Sequence, residues 1–214
     1  MIRYNPTDGD VLSRVVSYRP QTCFIMTKLG GSLPQGITNM RNTFCRYAGK
    51  NGITSIDASS ETTGKDFLLK IWDLICSVPL GVAIVSEELP ALTLCNIYYE
   101  LGVLQALGKE TLIIKSENCS VPSDFVRTEY IEHGRAVGKK ISGFFKTYFD
   151  QAKHYATMAE GLEQNPALAI DYLKRAFLIS GDKNYQTVAK KLFQNNQFDA
   201  QRTESIKRFL QTRH

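Results

Sequence analysis

Two short, uncharged, β-branched runs bracketing one helical segment limit the fold of this 214-residue chain more than any other feature. Residues 81–85 (GVAIV) and 111–114 (TLII) have the continuous apolar character of strands buried on both faces of a parallel sheet. Between them residues 92–109 carry helical spacing, and Gly108 stands where a helix C-terminal glycine is expected. Strand, crossover helix and strand make a βαβ unit.

One residue of that helix conflicts with its surroundings. At 100° per residue, Thr93, Asn96, Ile97, Val103, Leu104 and Leu107 fall within about 60° of Glu100. Glu100 therefore shares an apolar face, with Asn96 one turn before it. A carboxylate in such a place is costly unless it is neutralised, paired or turned to a polar cavity. One reading bends it round to a lysine or a backbone amide. The other aims it into a pocket at the C-terminal edge of the sheet, where open α/β folds bind ligands.

The remaining segments supply the other parts of such a fold. Residues 22–27 (TCFIMT) are the first strand, 53–58 (ITSIDA) the second and 110–115 the fourth, with a candidate last strand over 125–134. Helical spacing covers 37–48, 65–77 and 139–158, and Pro79 stops the second of these. After the first strand come Thr27, Lys28, Gly30 and Gly31. A glycine pair there lets backbone approach a ligand, or is an ordinary turn; Lys28 would meet a phosphate as a point charge. The loop is neither G-x-G-x-x-G nor a Walker sequence, so neither a dinucleotide fold nor an NTPase is supported. Asp57, at the end of the second strand, is a candidate for binding a polar group and equally for capping the turn at Ser59 and Ser60.

The ordered set Asn96, Glu100-Leu101-Gly102, Ala106-Leu107-Gly108-Lys109, a strand, then Pro122-Ser123-Asp124-Phe125 with Tyr130 resembles the nucleoside 2-deoxyribosyltransferase-like group, which is related to TIR domains. The resemblance covers residues 20–135. It implies a flavodoxin-like, three-layer parallel sheet and a glutamate, Glu100, that attacks or stabilises the anomeric carbon of an N-glycoside. It further implies that the loop after strand one lines the pocket, and that Asp57, Asn96 and Asp124 of the closing loop bind substrate. Those relatives place an aspartate directly after the third strand; this chain has Ser86 and Glu87 there instead, a departure at the sugar-holding position. Bacterial members serve in antiviral defence or signalling, which the resemblance implies and the residues do not.

Residues 1–20 read as a polar N-terminal arm with a short helix over 10–18, residues 21–137 as the α/β domain, and 138–214 as a helical C-terminal region. Residues 165–176 (NPALAIDYLKRA) resemble one helix of a tetratricopeptide-type repeat, and two further helices follow, too few for a free-standing solenoid. This appendage is expected to pack on the domain, on a second copy or on a protein partner.

Five scattered cysteines with no C-x-x-C exclude the usual zinc site and argue against a disulfide framework, so a cytoplasmic, reducing setting is expected. No run reaches membrane-spanning length. The net charge of +5 comes from dispersed Lys and Arg, so nucleic acid is not the expected partner. His133, His154 and His214 lie outside the pocket-forming segments, and neither a Ser-His-Asp nor a Cys-His set forms. The expected function is an N-glycosidase acting on a nucleotide, with no cofactor and with NAD as a candidate substrate. The alternative is a non-catalytic module that binds a nucleotide signal and relays it through the C-terminal helices. A third is a purely structural interaction protein.

Overall fold

The structure is a computed structural model and describes residues 16–59, 67–125, 130–162 and 164–212. Five parallel strands, β1 (Thr22–Met26), β2 (Thr54–Ile56), β3 (Leu80–Val85), β4 (Glu110–Lys115) and β5 (Tyr130–Glu132), form one sheet in the order β2-β1-β3-β4-β5. This is the flavodoxin-like order. Helices α1 (Gln35–Lys50), α2 (Phe67–Ser77), α3 (Ala91–Ala106) and α4 (Val137–Glu160) flank it, and α5 (Pro166–Ser180), α6 (Lys183–Gln194) and α7 (Ala200–Gln211) follow. The expected three-layer α/β fold with a helical C-terminal part is therefore present. Of the arm helix expected over 10–18, residues 10–15 lie outside the described residues, and 16–18 are irregular. The second strand is shorter than expected, three residues. The expected start of the second helix, residues 65–66, also lies outside the described residues.

The sheet holds because β3, at its centre, carries only glycine and apolar residues to both layers. All six residues of β3 are buried, as is Leu112 to Lys115 of β4. Phe44 of α1 meets Phe145 of α4 at 5.9 Å, which places these two helices on one face. Tyr148 of α4 lies beside Cys23, so the Cys23 face of β1 is the one they cover. On the other face α2 packs beside α3. A Cβ at Gly81 would overlap Leu104 Cδ1 and stand 3.2 Å from Met26 Cε, so only glycine lets α3 lie this close to β3.

The C-terminal helices are built on that frame. Asn165 caps α5 by accepting the Leu168 N–H at 3.2 Å, and Gly181 closes it in the left-handed conformation. Ala176 and Ile179 of α5 join the main core, while Ile170, Leu173 and Phe177 form a second core with Ala189, Ile206 and Phe209. One side chain ties this part to the α3–β4 turn. Arg175 Nη1 donates to Gly108 O at 3.0 Å and its Nε to Asp171 Oδ2 at 3.2 Å, with its guanidinium 5.8 and 5.9 Å from the rings of Tyr155 and Tyr172. Gly108 has φ 65°, and a Cβ there would run into that guanidinium.

Candidate functional site

Chain direction and strand order create a crevice at the C-terminal edge between β1 and β3. From β1 the chain crosses to β2 by α1 on one face; from β3 it crosses to β4 by α3 on the other. Neighbouring strands whose connections leave to opposite faces open a gap between their following loops. The loop after β1 contributes Thr27, Lys28, Gly30 and Gly31, and the loop after β3 contributes Ser86, Glu87 and Glu88. The helices that begin here, α1 and α3, start after Pro34 and Pro90 with no side-chain cap on either.

In the first loop Gly30 and Gly31 have φ 74° and 65°. Lys28 Nζ donates to Ser32 O at 3.1 Å, drawing the loop over itself. Thr27 is 8% exposed, and its hydroxyl is buried without a hydrogen-bond partner. In the second loop Ser86 is buried; its hydroxyl accepts the Glu88 N–H at 3.2 Å and donates to Glu87 Oε2 at 3.3 Å. Glu87, exposed, also accepts a hydrogen bond from the Ser116 hydroxyl at the end of β4. That bond, with the help of its neighbours, holds the Glu87 acid below the ordinary carboxylate range.

Glu100 sits half-buried in the middle of α3. Ile97, Leu101 and Leu104 form the buried stripe against the sheet. Tyr98 lies on one flank, stacked on Phe125 at 5.3 Å and donating its hydroxyl to Ser120 O at 3.4 Å. Helical spacing puts Glu100 on the opposite flank, toward α2. No hydrogen bond or ion pair engages it among the described residues, and burial alone pushes its acid up to about 7. Asn96, exposed, stands one turn nearer the crevice.

The other expected residues are placed as follows. Asp57 is buried and already occupied: Arg41 Nη2 donates to its Oδ2 at 2.5 Å, while the Ser59 amide and hydroxyl donate to its Oδ1 at 2.9 and 2.5 Å. Asp124 is exposed in a 3-10 turn (Ser123–Phe125), on the Tyr98 flank of α3 and thus across the helix from Glu100. The structure thus gathers Thr27, Lys28, Gly30, Gly31, Ser86 and Glu87 at one crevice, with Asn96 and Glu100 descending α3 beside it, and leaves Asp57 and Asp124 to either side. Two partners escaped the sequence reading, Arg41 and Ser116. Ser116 had a signal, since it directly follows the strand next to β3; Arg41 had none.

Among the described residues no His/Cys/Asp/Glu group has the arrangement to hold a metal, no disulfide links the cysteines, and no helix is long and apolar enough to cross a membrane. A cleft of about 930 Å³ lies at the opposite edge of the sheet, between α5, α7 and the α3–β4 turn, where Asp171, Lys174, Arg175 and Glu110 line it. No protein-family model matches the chain, and no curated protein is significantly similar to it.

Proposed function

We propose that this chain breaks the N-glycosidic bond of a nucleotide, with Glu100 as the group that meets the sugar. The observation that carries the reading is the carboxyl of Glu100, half-buried beside the apolar stripe of α3, without a partner among the described residues and with its acid raised to about 7. A group so placed is costly to keep and has no structural partner to justify it. Its carboxylate attacks C1′ as the C1′–N bond breaks, the bonding electrons leaving with the base; water then displaces the carboxylate from C1′. Asn96 suits a ribose hydroxyl.

The leaving group favours NAD within this reading. Nicotinamide departs from NAD as a neutral molecule and needs no proton, whereas an ordinary nucleobase leaves as an anion unless an acid protonates it. Among the described residues no acid is hydrogen-bonded or ion-paired to Glu100, and burial is the cause of its shift. One carboxylate is enough for NAD.

A second reading, a non-catalytic nucleotide sensor, draws support from the Arg175 clasp. It joins α5 to the turn directly after the helix that bears Glu100, a route from the crevice to the C-terminal helices. Product analysis by liquid chromatography separates the two, using NAD, nucleosides and nucleoside monophosphates with wild type and Glu100→Gln. Free nicotinamide or base from wild type alone supports cleavage. Ligand-induced thermal stabilisation without release supports the sensor, and neither result defeats both.

A further inference from the structure

We infer that the outer face of α3 is an interface covered by a second copy of this chain, the two helices packing antiparallel about a two-fold axis at Tyr99. Dimer formation does not depend on any glycosidic activity.

Besides the stripe it lays on the sheet, α3 carries a second apolar stripe. Leu92, Cys95, Tyr99, Gly102 and Ala106 are spaced three and four residues apart in alternation, the seam of a helix that packs along another helix. At 100° per residue the seam centres about 170° from Ile97, Leu101 and Leu104, so it faces solvent. Leu92 is 75% and Tyr99 58% exposed, and Cys95 and Ala106 are exposed with them. Phe67 and Leu68 are likewise exposed at the start of α2, the helix beside α3. Within α3 only Glu100 is charged, and it stands about 120° round the helix from the seam. A surface helix ordinarily carries charge on its outer face, whereas a helix apolar all round belongs in an interior or an interface.

Gly102 is a second observation. A Cβ there would meet only Phe125 Cζ, at 3.8 Å, an ordinary contact, and the residue is not left-handed. Nothing among the described residues therefore calls for glycine in mid-helix, where it is destabilising relative to alanine. On an exposed seam it suits the close approach of another backbone.

Symmetry and charge identify the occupant. Reversed about Tyr99, the seam falls on itself: Leu92 meets Ala106 of the second copy and Tyr99 meets Tyr99, while Cys95 and Gly102 leave room for the two rings. Large stands against small in the self-complementary way that a two-fold contact requires. The seam offers no charge to an acidic or basic partner. A 16-residue helix is about 24 Å long, and α3 with α2 beside it spans about 20 Å, so each copy contributes about 500 Å². That is the low end for a specific contact, so a dimer of about micromolar affinity or weaker is expected. Asn96 and Glu100, about 80° and 120° from the seam, stay outside the contact.

The test is sedimentation equilibrium of the full-length protein from about 1 μM to about 1 mM, with wild type, Tyr99→Lys, Tyr99→Glu and Gly102→Ala. Wild type should dimerise, and each charged variant should weaken association at least about tenfold. An equimolar mixture of the two charged variants should restore it, because opposite charges then meet at the axis. Gly102→Ala should weaken association about fivefold while raising the urea midpoint of the monomer, which separates a lost contact from a damaged fold. A wild type still monomeric at about 1 mM overturns the inference and leaves the face to a different protein. A dimer that Tyr99→Lys does not weaken lies elsewhere and overturns it as well. Charged variants that stay apart when mixed overturn the two-fold register. Base release by a protein that remains monomeric sinks the dimer and leaves the glycosidic reading standing; a dimer without base release does the reverse.

Discussion

Gly81 and Leu104 fit against each other with no room for a methyl group between them. The contact fixes how deeply α3 lies on β3, and therefore the height of Glu100, one turn along the helix from Leu104. Gly81→Ala should destabilise the fold by about 1–3 kcal/mol, the usual cost of overpacking. Leu104→Ala alone opens a cavity and should cost about 2–5 kcal/mol. The double variant should be less destabilised than the sum, because the new methyl enters the space Leu104 vacates. Urea unfolding of the four proteins measures the coupling, and strict additivity would show that the two side chains do not set the spacing.

Glu100 should make stability fall as pH rises. Its acid is raised from 4.5 to about 7 in the folded chain, so between those values the folded state holds a proton that the unfolded state has released. The cost of the charge is absent below about pH 4.5 and fully present above about pH 7, where it reaches about 3 kcal/mol. Glu100→Gln, which cannot ionise, should match wild type at pH 4.5 and exceed it in melting temperature at pH 8. Equal differences at both pH values would mean that the carboxyl is not desolvated.

Much of this was readable from sequence, and the reason lies in which interactions are local. The runs 81–85 and 111–114 announce a buried parallel pair because each residue needs only to be apolar and β-branched. Gly108 and Asn165 mark helix ends because capping is settled within a turn. Glu100 stood out because its conflict is with its own helix face. What could not be read was pairing across distance. Whether Asp57 binds a ligand or closes its own turn depends on Arg41, sixteen residues away on a helix whose rotation the sequence does not display. Glu87 depends in the same way on Ser116, twenty-nine residues on. Helical spacing over 139–158 announces α4, but the place of its aromatic side chains in the main core beside Phe44 follows from the packing of whole layers.

Catalysis, if Glu100 attacks the sugar, should follow its ionised form. Nicotinamide release from NAD, measured as kcat/KM, should rise about tenfold per pH unit below about pH 7 and level off above it. Glu100→Asp keeps the charge but withdraws it by about one bond length, and should lose about a hundredfold. A flat profile across pH 5 to 8 would remove Glu100 from the chemical step.

Arg175 should prove irreplaceable by lysine, and acid should release what it fastens. Lysine keeps the charge but not the fork that serves Gly108 O and Asp171 together, nor the flat surface against Tyr155 and Tyr172. Arg175→Lys should cost about 1–2 kcal/mol, read by urea unfolding. Burial alone would raise the Asp171 acid, yet Lys174 and Arg175 overcome that and hold it at about 2. Because this acid is lowered from 3.8, its contribution is present above about pH 4 and is lost as pH falls toward 2. Asp171 is 38% exposed, so solvent screening limits the effect to about 1 kcal/mol. Hydrogen exchange should therefore show α5 opening before β3 as the solution is acidified, and Asp171→Asn should abolish the difference. Protection lost from α5 and β3 together would place the clasp within one cooperative unit and deny it a separate role.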